Sequence, residues 1–245
     1  MTTRGRPTVK LRLIQIAIPL ALVAFFCVVS ARDAARAAKA RDIAAETAAL
    51  ETQVTQIAHQ IQNSTDYIAI NNLEDAYGYY VDKTKWDEVT DLFTDDGEVE
   101  IGLRGVYKGK ERVRAYMHHL GDLKYGTLFN HSQLQPVVHI DPDGLHAYGR
   151  FRAYMQVGTL DRRSQWGDAV YENQYEKQNG IWKIKKLHAY FIYYVNYYKG
   201  WDQGGDPPPP PLKDLPPDEP TTFDYKLYPD VYIPPFHYKN PVTGK

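Results

Sequence analysis

A single cysteine, Cys27, is all the chain has, which excludes an internal disulfide framework and a cysteine-ligated metal cluster. Neither sign of charge is in excess: 29 Lys and Arg stand against 30 Asp and Glu in 245 residues. No basic stripe runs along the chain, so a nucleic-acid partner is not expected. A phosphate-cradling glycine loop, a nucleophile elbow and a dinucleotide fingerprint are missing too. No two histidines have the spacing of a helix-borne zinc site, and the residues call for no metal centre. Tyrosine, by contrast, is abundant, with 20 residues against 8 Phe. Its large apolar area and hydroxyl suit a lined pocket or an oligomer interface equally well.

Residues 1–31 read as a membrane anchor or a signal segment. Arg4, Arg6, Lys10 and Arg12 precede an apolar run from Leu13 to Ala31 whose polar members are Gln15 and Ser30. The run matches a bilayer core and exceeds the roughly 7–15 apolar residues of a secretory signal. A cleaved signal, cut after Val29-Ser30-Ala31, is the alternative. Basic residues flank both sides of the run, so the positive-inside rule barely discriminates, and the main body is placed outside the cytoplasm. Residues 32–65 form a polar helix with Ile43, Thr47, Leu50, Val54, Ile57 and Ile61 at alternating steps of four and three. That seam fits either a single helix lying along a domain or a short parallel coiled coil.

Residues 66–200 carry the pattern of a compact α+β domain. Helix signals at 67–82, 86–94 and 109–120 precede four strand-like runs, with turns at Asp141-Pro142-Asp143-Gly144 and Asn179-Gly180. Helices followed by an antiparallel meander predict helices packed on one face of a curved sheet. Residues 201–245 are rich in proline and aromatics, which predicts an extended arm docked on the domain or on a neighbouring subunit.

Two residues carry the chemistry. Asp82 sits among Tyr79, Tyr80 and Trp86, and Thr84, with Asp87 three residues on, predicts a helix start just beyond it. A carboxylate at a helix C-terminus among aromatics has its pKa raised, as a general acid or base requires. Read blandly, Asp82 is a solvated turn acid beside Lys83 and Lys85. Strand alternation puts His131, Gln133, Gln135, Val137 and His139 on one face, which is either a polar-lined cavity or a solvent-exposed face. His118 and His119 end a helix, where a dipole role suffices.

The stretches "NLEDAYGYYVDKTKWDEVTDLFTDDGEVEI", "GVYKGKERVRAYM", "NHSQLQPVVHIDPDG" and "YENQYEKQNGIWKIKKLHAYFIYY" resemble the SnoaL-like branch of the nuclear transport factor 2-like superfamily over about residues 66–200. The resemblance implies a cone-shaped α+β barrel around a hydrophobic cavity. The scytalone dehydratase and hexachlorocyclohexane dehydrochlorinase members run eliminations through an Asp–His dyad without a cofactor, and their acid and base match Asp82 and His131. The dehydratase's tyrosine before the acid is Val81 here, its second strand histidine falls at Met155, and a second cavity tyrosine falls near Ile101. Tyr154, Tyr171, Tyr190, Arg150 and Arg152 are the expected donors to developing charge, with Tyr79, Trp86 and Met155 completing the pocket.

Two functions follow from that resemblance. One is an acid/base enzyme for a small, largely apolar molecule, catalysing elimination, dehydration or isomerisation with no cofactor. The other is a non-catalytic, membrane-anchored ligand-binding or assembly domain of a bacterial cell-envelope complex. The resemblance and the heptads together imply a homo-oligomer, trimer or dimer, and the N-terminal segment predicts a domain that is periplasmic on an inner-membrane anchor, or secreted if the N-terminus is cleaved.

Overall fold

The computed structural model describes residues 10–224 and 226–245, side chains excepted at 10–21 and 24. The chain divides into two compact units, residues 1–60 and 61–245. Helix α1 (Lys10–Asp82) supplies the described structure of the first unit. Its heptad positions Ile43, Leu50, Val54 and Ile57 are all at least 54% exposed. Exposed in this way, the seam gives no support to the coiled coil expected over 32–65. Nor does the expected anchor: among the described residues no helix is long and apolar enough to cross a membrane. That expectation falls largely outside them, on residues 1–9 and the side chains of 10–21.

In the second unit, Asp66, Ile70, Glu74, Tyr77 and Val81 recur along α1 at steps of three and four and are all buried. They make one helical stripe facing the core. Two of these positions are acidic, which an interior tolerates only with partners. Asp66 has Lys177 Nζ at 2.6 Å and accepts the Trp182 indole N–H at 2.8 Å. The helix stops after Asp82 because Thr84 turns left-handed (φ 50°) and the amides of Thr84 and Lys85 close back on the Val81 and Tyr80 carbonyls. Thr84 is therefore not the cap of the next helix. Helix α2 (Trp86–Asp91) starts from Lys85 with no side-chain cap, and the Thr84 hydroxyl accepts the Leu123 amide at 3.3 Å instead.

There follow β1 (Phe93–Ile101), β2 (Val106–Lys108), α3 (Lys110–His119), β3 (Thr127–Ile140), β4 (His146–Thr159), β5 (Arg163–Gln178) and β6 (Ile181–Asn196). They form one curved sheet ordered β2-β1-β6-β5-β4-β3, antiparallel except where β1 runs alongside β6. Asn179 and Gly180, both at positive φ, close the β5–β6 hairpin, as Asn-Gly demands of a two-residue turn. The inner face, including Ala153, Met155, Tyr171, Tyr175, Leu187 and Phe191, meets the α1 stripe and Val113, Tyr116 and Met117 of α3 in one core.

A bulge decides which residues of β3 face inward. Leu134 pairs with Arg152 but Val137 pairs with Arg150, so β3 holds one extra residue there, and Gln135 takes φ 53°. Pro136 is tolerated because an edge strand at a bulge needs no amide from it. Beyond the bulge the alternation reverses. Val138 and Ile140 join the core, whereas Val137 and His139, expected on the His131 face, do not.

Residues 201–245 belong to the second unit and bind the sheet through side chains and isolated backbone bonds. The Asp206 amide donates to Tyr194 O at 2.6 Å, Val106 bridges Glu219, and the Tyr228 amide donates to Ile192 O at 2.8 Å. The fully buried Glu100 carboxylate accepts the Thr222 amide at 2.7 Å and the Thr221 hydroxyl at 3.0 Å. A proline-rich segment lacks the amides for a continuous ladder, which explains this dotted attachment.

Candidate active site

β3 is the outer strand of the sheet and pairs only with β4. Alternate N–H and C=O groups along its free edge therefore need partners outside the ladder. At His131 the end of α1 supplies them. Gly78 passes so close that a Cβ there would stand 2.7 Å from the His131 carbonyl oxygen. One helical turn later, the Asp82 carboxylate accepts the His131 backbone N–H at 2.5 Å. The acid expected to hold the imidazole thus holds the main chain. The ring goes elsewhere: Nε2 lies 3.0 Å from the Tyr171 hydroxyl. Edge-on contacts to Tyr77 and Tyr171, with centroids 5.8 and 5.9 Å away, fix its orientation. Burial with no carboxylate on the ring lowers its pKa to about 4, so the imidazole is neutral at pH 7.

His131 and Tyr171 form part of the wall of a cavity of ≈ 640 Å³. Across the β3–β4 ladder, Thr127, Phe129 and His131 face Thr159, Val157 and Met155, and all six line it. Tyr77 and Val81 of α1, Trp86 of α2 and Tyr116 of α3 cover it from the helical side. The Trp86 indole N–H donates to Gly121 O at 2.9 Å, which fixes α2 against the turn after α3. Arg104, in the turn after β1, brings a guanidinium to the wall. Exposed Arg163 and the arm segment Asp206–Pro210 complete it.

The family model of the SnoaL-like domain matches residues 62–188. The chain belongs to the SnoaL-like family. Among solved structures it is similar to a candidate scytalone dehydratase from Novosphingobium aromaticivorans, at 19% identity and TM-score 0.51, over 56% of this chain and 91% of that one. It is also similar to a type 3 hexachlorocyclohexane dehydrochlorinase from Novosphingobium barchaimii, at 21% identity and TM-score 0.50, over 56% of this chain and 93% of that one. Likeness at that identity shows the nuclear transport factor 2-like fold and no more. None of the curated proteins compared matches the chain.

Of the residues expected in the SnoaL-like pocket, Trp86, Met155 and Tyr171 line the cavity with His131. The rest do not. Tyr79 is 72% exposed, since two helical positions from Tyr77 is the opposite side of α1. Arg150, Arg152 and Tyr154 alternate with the inward Phe151, Ala153 and Met155, so they stand on the outer face. There Arg150 pairs with Glu172 and donates to Pro235 O at 2.9 Å, and Arg152 holds Asp168 at 2.7 Å. Tyr154 lies against Trp166, and Tyr190 stacks on His188 at 3.9 Å and on Tyr232 of the arm. Tyr77, Tyr116 and Arg104 were not foreseen. The helical stripe through Ile70 and Val81 marks Tyr77, whereas only the fold brings Arg104 round to the cavity.

The same stripe holds Glu74, a second site of unusual protonation in the SnoaL-like domain. Its Oε1 accepts the Tyr175 hydroxyl at 2.6 Å and the Asn173 amide at 2.9 Å, while the buried Oε2 has no partner. Burial raises the pKa to about 7, against the lowering effect of those two bonds. The folded state keeps this proton up to about pH 7, whereas the unfolded chain releases it near 4.5. Stability from this group is thus complete below pH 4.5 and lost as pH rises through 7. Glu74→Gln is expected to remove that loss, gaining about 2 kcal/mol on wild type between pH 5 and pH 8.5. Urea unfolding at both pH values measures it, and parallel pH dependences would refute the assignment.

Proposed function

We propose that the cavity is the active site of an acid/base enzyme that removes a proton from carbon in a small molecule, beginning an elimination, dehydration or isomerisation. His131 is the base. The observation that carries this reading is a buried, neutral imidazole in the wall of a ≈ 640 Å³ cavity, tied through Nε2 to the Tyr171 hydroxyl. In the tautomer with Nε2–H donating to Tyr171, the Tyr77 ring packs edge-on against both rings of the pair. Nδ1 then keeps its lone pair, since none of the described residues hydrogen-bonds to it. It accepts the proton, and the C–H electron pair forms the new double bond as the leaving group departs or a carbonyl oxygen takes up the charge. Such a step moves a proton and an electron pair and asks for no cofactor. Asp82 is a positioning residue that fixes the β3 backbone and, through it, the ring.

An imidazole with its pKa lowered to about 4 is a weak base. The substrate C–H must then be acidified, by an adjacent carbonyl or by a halogen or hydroxyl on the neighbouring carbon. The second reading, an assembly domain, draws on the exposed seam Ile43, Leu50, Val54 and Ile57. It gives no use to an open cavity with a histidine in it.

Incubation of the full chain in D2O with a panel of small β-hydroxy and β-halo carbonyl compounds tests the proposal. Proton NMR is expected to record loss of a C–H signal, or growth of an alkene signal, for at least one compound. If compounds that shift the melting temperature all keep their protons, the cavity is a binding site and the enzymatic reading fails.

A further inference from the structure

We infer that Arg104 makes the cavity selective for a small molecule bearing a carboxylate or a similar planar anion. The inference builds on the cavity as a substrate site and replaces the expected apolar ligand with an anionic one of apolar body. The turn that carries Arg104 is built to aim it. Gly102 (φ 60°) and Gly105 (φ 87°) bracket the Leu103-Arg104 pair in backbone conformations that side chains rarely adopt. A Cβ at Gly105 would stand 2.6 Å from Pro217 of the arm, so the turn is held from outside as well.

Inside, the guanidinium has one hydrogen-bond partner among the described residues: Nη1 donates to the Tyr116 hydroxyl at 3.0 Å. Its Nε is buried with no acceptor, and among the described residues no carboxylate lies within ion-pair distance of it. Tyr116 does not neutralise the charge, because burial raises its pKa and keeps it a neutral phenol. The nearby phenol of Tyr194 is likewise held neutral, its pKa pushed up to about 12. Among the described residues the one acid in the wall, Asp206, is engaged by the Gln165 amide, and exposed Arg163 adds a second cation. His131 contributes no charge at pH 7.

An unpaired guanidinium in an aromatic-walled cavity is costly, because desolvation is not repaid by a partner. Nε itself has no surface open to the cavity, so an anion meets the guanidinium through Nη2, for which no described residue supplies an acceptor. A ligand carboxylate supplies one and brings the apolar body against Trp86, Met155 and Phe191, within the cavity that His131 lines.

The test uses 2-naphthoate and 2-naphthamide, which share a shape and differ in charge, titrated calorimetrically into the full chain at pH 7. Wild type is expected to bind the naphthoate at least about tenfold more tightly. Arg104→Met is expected to bring the two ligands within roughly twofold while holding or raising the melting temperature, since a buried unpaired charge is removed. Arg104→Lys keeps part of the preference, as a point charge without the fork. Equal binding of both ligands by wild type, or an undiminished preference in Arg104→Met, overturns the inference. The fate of the acid/base reading is scored separately: proton exchange from neutral compounds with no naphthoate preference sinks only the anion site. An Arg104-dependent preference with no exchange anywhere leaves the anion site standing and sinks the chemistry.

Discussion

His131→Gln is expected to slow C–H exchange or elimination by about 10²–10⁴-fold, the usual contribution of a positioned general base. The fold at pH 7.5 is expected to survive, because the bond from Asp82 goes to the backbone N–H that any residue at 131 retains. Glutamine also keeps a polar group for the Tyr171 hydroxyl. The pH dependence separates loss of a base from a packing defect. The folded pKa of His131 is about 4, below the ordinary imidazole value of 6.5. The unfolded chain therefore binds more protons between those values, and stability is full above pH 6.5 and lost as pH falls through 4. One such group contributes a slope of up to about 1.4 kcal/mol per pH unit. His188, buried against Tyr190 and lowered to about 4 mainly by burial, adds a second in the same window. The variant is expected to lose one of these two slopes in acid unfolding and to keep the other. A variant that exchanges substrate protons at the wild-type rate removes His131 from the chemistry, whatever its acid unfolding shows.

The periodicities of the chain gave away most of the fold and only part of the site. Steps of three and four mark the stripe Asp66, Ile70, Glu74, Tyr77, Val81, and the Asn179-Gly180 turn marks the last hairpin. The same periodicities separate Met155 from Arg150, Arg152 and Tyr154, and Tyr77 from Tyr79. A pocket containing both members of such alternating pairs is geometrically excluded in a regular element. Other features had no sequence signal of that kind. The extra residue at Gln135–Pro136 reverses a strand face, and a proline there speaks for a bulge without saying on which side. Asp82 binding a backbone N–H is invisible because every non-proline residue offers one. Arg104 reaches the cavity through a turn whose direction is set by two left-handed glycines and by contact with Pro217, over a hundred positions away.

Gly78→Val is expected to destabilise the domain by about 2–4 kcal/mol. A valine gains a few tenths of a kcal/mol of helix propensity over glycine, which is too little to offset a clash. The first atom added would stand 2.7 Å from the His131 carbonyl oxygen and 3.3 Å from the Gln133 side chain. The closer neighbour is backbone in a strand laddered to β4, so it cannot swing aside as a side-chain end would. The alternative is for α1 to lift from the edge of β3, and Asp82, one turn on, lifts with it. Loss of stability should then come with faster hydrogen exchange at the His131 amide, whose acceptor is the Asp82 carboxylate, and with a fall in rate that tracks the displaced ring. Asp82→Asn isolates the second half of this coupling. It keeps a carbonyl acceptor but loses the charge-assisted bond, at a cost of about 1 kcal/mol. Gly180→Asn is the control: φ is 81° there, but an added Cβ meets nothing within 4 Å, and asparagine tolerates a left-handed turn position. Should Gly78→Val unfold at the wild-type denaturant midpoint, as Gly180→Asn is expected to, the close passage of α1 over β3 is not what holds His131 in place.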